Sequence, residues 1–414
     1  MLKQTSLFKD SSVNFTNNSK PFHAAKKSIV SKYSFVGVMA AALLFASCQK
    51  EQLSNPALNS TRSGISSASA SANIPPKVNA GDAKRVVYPS ATSVTLKGNG
   101  SGAGGSVTFQ WQQTSGRTSA VFSDPTKATT TVSNLKPGIY TFTLTATSMK
   151  GVSSTATTTV SVLQKMTWTV EGVTREALIH PSSAALSGDA VPIIFAFHGH
   201  GGTDSGFAEK AFELSWPEAM VIYPQGLPTE SHDDQEARNS GWQHSIGEVN
   251  SKTGIQDQDV KFFDAMLATY YKRHSENPGA VFVHGWSNGG EFVYNVLWAA
   301  RGSQLTALAP AAAVLSTTSG KRTIPVIHTA GTQDDKVSFS KQEKSGLNVR
   351  TLNKCLNTGI TWATGSSGLL GTKYASPIND QEVFLQYNGS HSYPYTVPAL
   401  IVKFFKEVAG FPNP

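Results

Sequence analysis

The spacing of hydrophobic and polar positions divides the chain into stretches of different period. Residues 35–46 form an uncharged, apolar run behind Lys26, Lys27 and Lys32. The run is too short to span a bilayer as a helix and has the length of a signal-peptide hydrophobic segment, so residues 1–47 read as an export leader. Residues 48–75 are rich in Ser, Ala and Asn without an apolar period. They predict a flexible tether, because too little surface can be buried to offset the entropy of ordering. Over 76–163, short alternating runs such as Val107-Thr-Phe-Gln-Trp111 and Tyr140-Thr-Phe-Thr-Leu-Thr-Ala146 are separated by turn residues such as Gly98-Asn-Gly100 and Pro137-Gly138. They predict an antiparallel β-sandwich of about seven strands with Trp111 as its buried inter-sheet aromatic. From 166 to 414 the period alternates. Residues 192–197, 219–223, 280–284, 324–328 and 382–386 read as buried strands, and residues 259–272, 288–301 and 398–408 as amphipathic helices. That alternation predicts one α/β domain on a mostly parallel sheet, with helices on both faces, after a small all-β immunoglobulin-like sandwich. The α/β part is long enough for its own core, so a chain beginning near Met166 is expected to fold alone.

Composition narrows the function. With 39% hydrophobic and 15% charged residues, collagen, coiled coil and whole-chain disorder are excluded. The net charge of +8 invites a nucleic-acid reading, but six lysines and one aspartate place +5 of it in residues 1–47. The +3 left is too small and scattered for a phosphate footprint, so no nucleic-acid partner is expected. Leu44-Phe45-Ala46-Ser47-Cys48 resembles a bacterial lipoprotein signal, which implies a lipid on Cys48, the mature N-terminus there and a membrane partner through that lipid only. Gln49 after it implies the outer membrane, at the cell surface or on the periplasmic face. Ordinary signal-peptide cleavage is the plainer alternative. Cys355 is then the only remaining cysteine, and the exported chain rests on its cores rather than on disulfides.

Residues 76–163 resemble polycystic-kidney-disease-type (PKD) modules of secreted bacterial hydrolases, through Pro76-Lys-Val-Asn-Ala-Gly81, the strand ending at Trp111 and Gly138-Ile-Tyr-Thr-Phe-Thr-Leu-Thr-Ala-Thr147. The resemblance implies a spacer or a polymer binder. The stretch holds no cluster of His, Cys or carboxylates, so no chemistry is read there.

The chemistry-bearing motifs lie in 166–414. Gly285-Trp286-Ser287-Asn288-Gly289 has the G-x-S-x-G form of a nucleophile elbow between a strand and a helix, where the turn is too tight for Cβ atoms on either side of the Ser. The Asn288 N–H, at the helix start, would face a developing oxyanion. His198-Gly199-His200-Gly201-Gly202 follows a strand, as in esterase loops that turn a backbone N–H, here that of His200, toward the same oxygen. A metal pair at His198 and His200 is disfavoured, since no third ligand sits nearby at ligand spacing; no metal and no cofactor are expected. In the order Ser, acid, His, Asp334 and Asp335 are both candidates for the acid, and His391, on a late loop before the last helix, is the base. Trp242, in the long polar stretch between Pro224 and Asp259, and Trp286, beside the nucleophile, could stack on substrate or could wall the pocket as core.

Together these motifs resemble the secreted α/β-hydrolase esterases grouped around polyhydroxybutyrate depolymerases, feruloyl esterases and acetylxylan esterases, over nearly all of 166–414. The resemblance implies an α/β-hydrolase fold and a serine esterase with Ser287, Asp334 and His391 as its triad. Asp334 is selected because the family acid stands three residues before a Val in a Gly-Thr-x-Asp-x-x-Val stretch. The partner it implies is an ester-bearing polysaccharide, with feruloyl or acetyl groups, or a polyester such as polyhydroxybutyrate. A prolyl-oligopeptidase-type peptidase and a non-catalytic surface-binding lipoprotein are the competing classes.

Overall fold

In the strand Gly138–Ser148, buried and half-exposed positions alternate almost to its end, the period of a strand packed on one face. It pairs antiparallel with Val107–Ser115 on one side and with Ser153–Val170 on the other. The computed structural model describes residues 13–15, 74–102, 105–273 and 280–412. The apolar run 35–46, Cys48 and nearly all of the tether, 48–73, lie outside the described residues. Opposite the first sheet stand Val94–Lys97, Thr129–Ser133 and Val121–Phe122. Trp111, 2% exposed, packs between them with Leu96, Val132, Phe142 and Leu144, and its ring N–H donates to Ala128 O at 3.1 Å. The sandwich is not wholly antiparallel, because Lys84–Tyr88 runs parallel to residues 160–164.

The 18-residue strand Ser153–Val170 continues out of the sandwich. Residues 153–162 pair with Gly138–Ser148, and from Gln164 the same strand pairs with Val173–His180. The boundary expected at 163–166 therefore falls within a strand, and the sandwich is joined to the α/β sheet rather than spaced from it. Side chains seal the junction. Glu213, fully buried, accepts from Ser161 Oγ at 2.8 Å, Tyr223 OH at 2.6 Å and Arg85 Nε at 3.4 Å. Leu163 belongs to the α/β core, with Val87 packed against it.

The α/β sheet runs, from its far edge, Ile360–Thr364, Leu370–Tyr374, Glu382–Tyr387, Val326–Gly331, Ala307–Ala311, Val281–Trp286, Ile193–Phe197, Met220–Pro224, Val173–His180 and Ser153–Val170. The six strands from Glu382–Tyr387 to Met220–Pro224 are parallel, and antiparallel strands close both edges. Both faces are covered, which explains strands such as Ile193–Phe197 that are buried at every position. Phe195 and Phe197 point toward Phe263 and Phe292, while Ile194 and Ala196 join Phe212, Trp216 and Phe405 on the other face. A three-residue strand, Val13–Phe15, pairs with residues 168–170 and lies inside the segment read as the leader.

Three differences from the sequence reading have local causes. Ala307–Ala311 is a central strand despite Pro310; a Cβ on Gly290 would lie 2.8 Å from both Ala311 O and Ala313 Cβ, so the adjoining helix runs too close for larger residues. The helix expected over 288–301 is interrupted by a π-helical segment, Phe292–Leu297, a local distortion found frequently near functional sites. The hairpin Ile360–Thr364 with Leu370–Tyr374 and the helix Phe339–Leu352 carry patterns too irregular to have been read.

Candidate active site

The strand Val281–Trp286 ends at Ser287, whose backbone has φ +54° and ψ −122°. A non-glycine residue held there costs about 1–3 kcal/mol. The strain is sustained because Ser287 N donates to Ala311 O at 2.9 Å and Glu291 N returns to Ser287 O at 2.9 Å. The flanking glycines are required by space. A Cβ on Gly285 would lie 2.1 Å from Gly289 O, and one on Gly289 would lie 2.5 Å from Phe197 O.

Ser287 Oγ lies 3.0 Å from His391 Nε2, and His391 Nδ1 lies 3.0 Å from both oxygens of Asp334. A carboxylate only accepts, so Nδ1 carries the imidazole proton and Nε2 is free to accept from Ser287. Residues 104 and 57 apart in sequence thus form one relay. The loop bearing His391 is pinned by Tyr387 OH, donating to Ser392 O, and by Tyr393 OH, bonded to His284 Nε2. Burial drops His284 to about 4, so it stays neutral and accepts that bond. Gly331 lets the acid-bearing strand reach this loop, because a Cβ there would lie 2.6 Å from Gly389 O. Asp334 Oδ1 accepts from the N–H groups of Lys336 and Val337, and Oδ2 from Gln342 Nε2. Asp335 is exposed. Asp334→Asn is accordingly expected to lower kcat on a soluble ester by about 10,000-fold, while Asp335→Asn stays near wild type. Steady-state rates of the two variants check this, and the reverse order would contradict the geometry.

On the other side of Ser287, Gly199 packs so closely that its Cβ would stand 3.3 Å from the Ser287 Cβ. His198 holds the loop through both ring nitrogens. Its Nδ1 bonds Gly199 O at 2.7 Å, and its Nε2 accepts from Gly226 N at 3.0 Å. Burial lowers it to about 4. His200 turns its ring to Asp234 and Ser231, and in the same loop Gly201 N donates to Ser240 O and Gly202 N to Gly199 O. Among the described residues no group of three metal-binding side chains converges.

Of the two readings open for Trp242, substrate platform or core wall, the structure takes the core wall. It is fully buried, donates Nε1–H to His198 O at 2.8 Å, and packs on Phe197 and Phe292. Its backbone bonds both ends of the Asn288 amide, N to Oδ1 at 2.8 Å and O from Nδ2 at 3.0 Å. Its place is therefore to tie the long polar stretch to the nucleophile elbow. Trp286 is half-buried, 5.0 Å from the His391 ring and 5.1 Å from Tyr393, and remains beside the site.

The polar stretch is anchored at both ends. Asp234, held down at about 2 by the N–H groups of Arg238 and Asn239, fixes one end. The buried Arg175–Asp259 pair fixes the other, where Asp259 also accepts from Gln243 N. Between them a cavity of about 420 Å³ is lined by Glu230, His232, His244, Glu248 and Glu291, among others. Glu291 lies on the helix opened by the nucleophile turn. Gln342 and His284 carry no motif of their own, so only their contacts mark them as parts of the site.

The strand order and the strand-to-helix elbow define an α/β-hydrolase fold preceded by a PKD-like β-sandwich. A family model described as a PKD domain matches residues 80–162. The PKD domain of the KIAA 1837 protein is 27% identical, with 21% of this chain and 85% of that chain covered and a TM-score of 0.20. A thermostable esterase is 9% identical, covering 78% of this chain and 95% of its own, at a TM-score of 0.42. Est1E from Butyrivibrio proteoclasticus is 13% identical over 59% of this chain and 99% of its own, at 0.36. No curated protein matches the chain.

Proposed function

We propose that the protein is a serine esterase that hydrolyses carboxylic esters of an extracellular polymer through an acyl-enzyme. The observation that carries this reading is the relay from Ser287 through His391 to Asp334, with the serine held on a strained turn. In the first step His391 Nε2 takes the Oγ proton as Ser287 attacks the ester carbonyl. The oxyanion is stabilised by the backbone N–H groups of His200 and Asn288. His391 then gives its proton to the departing alcohol, and a water activated by the same imidazole releases the acid and restores the serine. Asp334 keeps the proton on Nδ1 and stabilises the imidazolium.

For the substrate, the resemblance of the motifs in 166–414 to feruloyl and acetylxylan esterases, with the tethered layout of the chain, favours an ester of plant polysaccharide. Feruloyl or acetyl esters of plant polysaccharide are the class proposed. A panel of feruloylated xylan, acetylated xylan and polyhydroxybutyrate film tests it. Release of acid from the xylans is expected, and activity on the polyester film alone would overturn the polysaccharide assignment. If neither these nor p-nitrophenyl acetate is turned over, a non-catalytic surface-binding role replaces the esterase reading; turnover of peptides alone would indicate a peptidase.

We further propose anchoring at the outer membrane through a lipid on Cys48. Among the described residues no helix is long and apolar enough to cross a membrane. Cys48→Ser is expected to move the protein from the membrane to the soluble fraction, read by fractionation and immunoblot. Persistent membrane association of that variant would refute the lipid.

A further inference from the structure

We propose that Gln342, His328 and Tyr294 form a buried positioning chain that holds the Asp334 carboxylate in the orientation in which it serves His391; this rests on the esterase reading above. The hydrogen bonds run in one direction. Gln342 Nε2 lies 3.1 Å from Asp334 Oδ2 and 2.7 Å from Val337 O. Both partners accept, so the amide nitrogen faces them and Oε1 points away. Oε1 lies 3.3 Å from His328 Nε2, which must therefore carry the N–H. His328 Nδ1 is then a lone pair and accepts from Tyr294 OH at 2.8 Å. Donation thus passes from Tyr294 through His328 and Gln342 to the acid of the relay.

Each of the three side chains is fully buried. The His328 ring is held between Phe384 at 5.3 Å, nearly parallel, and Tyr294 at 5.6 Å. Burial lowers His328 to about 4, so it stays neutral with one N–H over the working range. Arg350, whose charge acts on His328, pairs with Glu382 at 2.8 Å, and among the described residues neither hydrogen-bonds Gln342, His328 or Tyr294. Three buried polar groups are costly unless all are paired, and an apolar core would hold the strand and helix together without that cost. Their effect at the site is on Asp334. With Oδ1 taken by two backbone N–H groups and Oδ2 by Gln342, the carboxylate cannot rotate, and both oxygens stay on His391 Nδ1.

The test compares full-length wild type with Gln342→Leu, His328→Phe and Tyr294→Phe; the last two keep the aromatic shapes if the first fails to fold. Three quantities are read: kcat and KM on p-nitrophenyl acetate per phosphonate-titrated serine, the melting temperature, and the low-field proton resonance of the His391 Nδ1–H bonded to Asp334. Loosening the acid is expected to lower kcat by about tenfold in Gln342→Leu, with KM kept within about twofold, and to shift or broaden the resonance. Smaller changes in the same direction are expected in the other two. Wild-type kcat and an unmoved resonance, whatever the melting temperature, would overturn the proposal. If wild type turns over no ester, the esterase reading fails, and the resonance comparison still decides the positioning role.

Discussion

Replacing Ser287 by Ala is expected to abolish ester hydrolysis, with kcat lower by about 10,000-fold or more, while the protein still folds. The size of the effect follows from the relay. His391 Nε2 has no other hydrogen-bond partner among the described residues, and with Oγ gone it has nothing to deprotonate. Folding survives because Ser287 is half-exposed and the bonds that hold its strained turn, to Ala311 O and from Glu291 N, are made by its backbone. Ala meets the same positive φ as Ser, so the strain is unchanged. The measurement is a saturation curve on p-nitrophenyl acetate together with a circular-dichroism melt. Retention of about a tenth of wild-type turnover, far above what such removals leave, would remove Ser287 from the nucleophile position.

A chain beginning at Met166 is expected to lose activity on soluble and insoluble esters alike, against the independent folding that length alone suggests. Truncation there cuts the strand Ser153–Val170 within its run, uncovers the α/β core where Val87 and Leu163 packed, and removes Arg85 and Ser161 from the buried Glu213 carboxylate. Of the two ion pairs that Arg85 makes, the one to Glu209 contributes little, since that carboxylate is 69% exposed. The one to Glu213 lies against a side chain with no exposure. The truncated chain keeps the Tyr223 OH bond to that carboxylate but turns apolar core to water, a loss set against the roughly 5–15 kcal/mol by which domains are stable. Thermal denaturation of the truncated and full chains, with turnover of a soluble ester, measures this. A truncated chain with wild-type melting and full soluble activity would return the sandwich to a spacer.

The period-two runs around Trp111 and the buried strands at 192–197 and 280–284 were legible because a strand's side chains alternate or are wholly buried according to neighbours one or two residues away. The elbow was legible for a similar reason: Gly285 and Gly289 make room for the turn around Ser287 within five consecutive residues. Ala307–Ala311 was not, since its small side chains and Pro310 suit that place only beside Gly290. Trp242 could be read as substrate platform or core wall, and only its burial against Phe197, Phe292 and His198 decides between them.

By itself, then, the sequence determined the α/β order, the sandwich core and the residue types of the site. Each of these follows from spacing along the chain, where backbone geometry converts periods and glycines into elements. The tertiary structure alone decided which groups meet. Asp334 with His391, Trp242 with Asn288 and Arg85 with Glu213 join residues 57, 46 and 128 apart. Such contacts depend on how strands order themselves in the sheet and which faces bury together, and no local period encodes that.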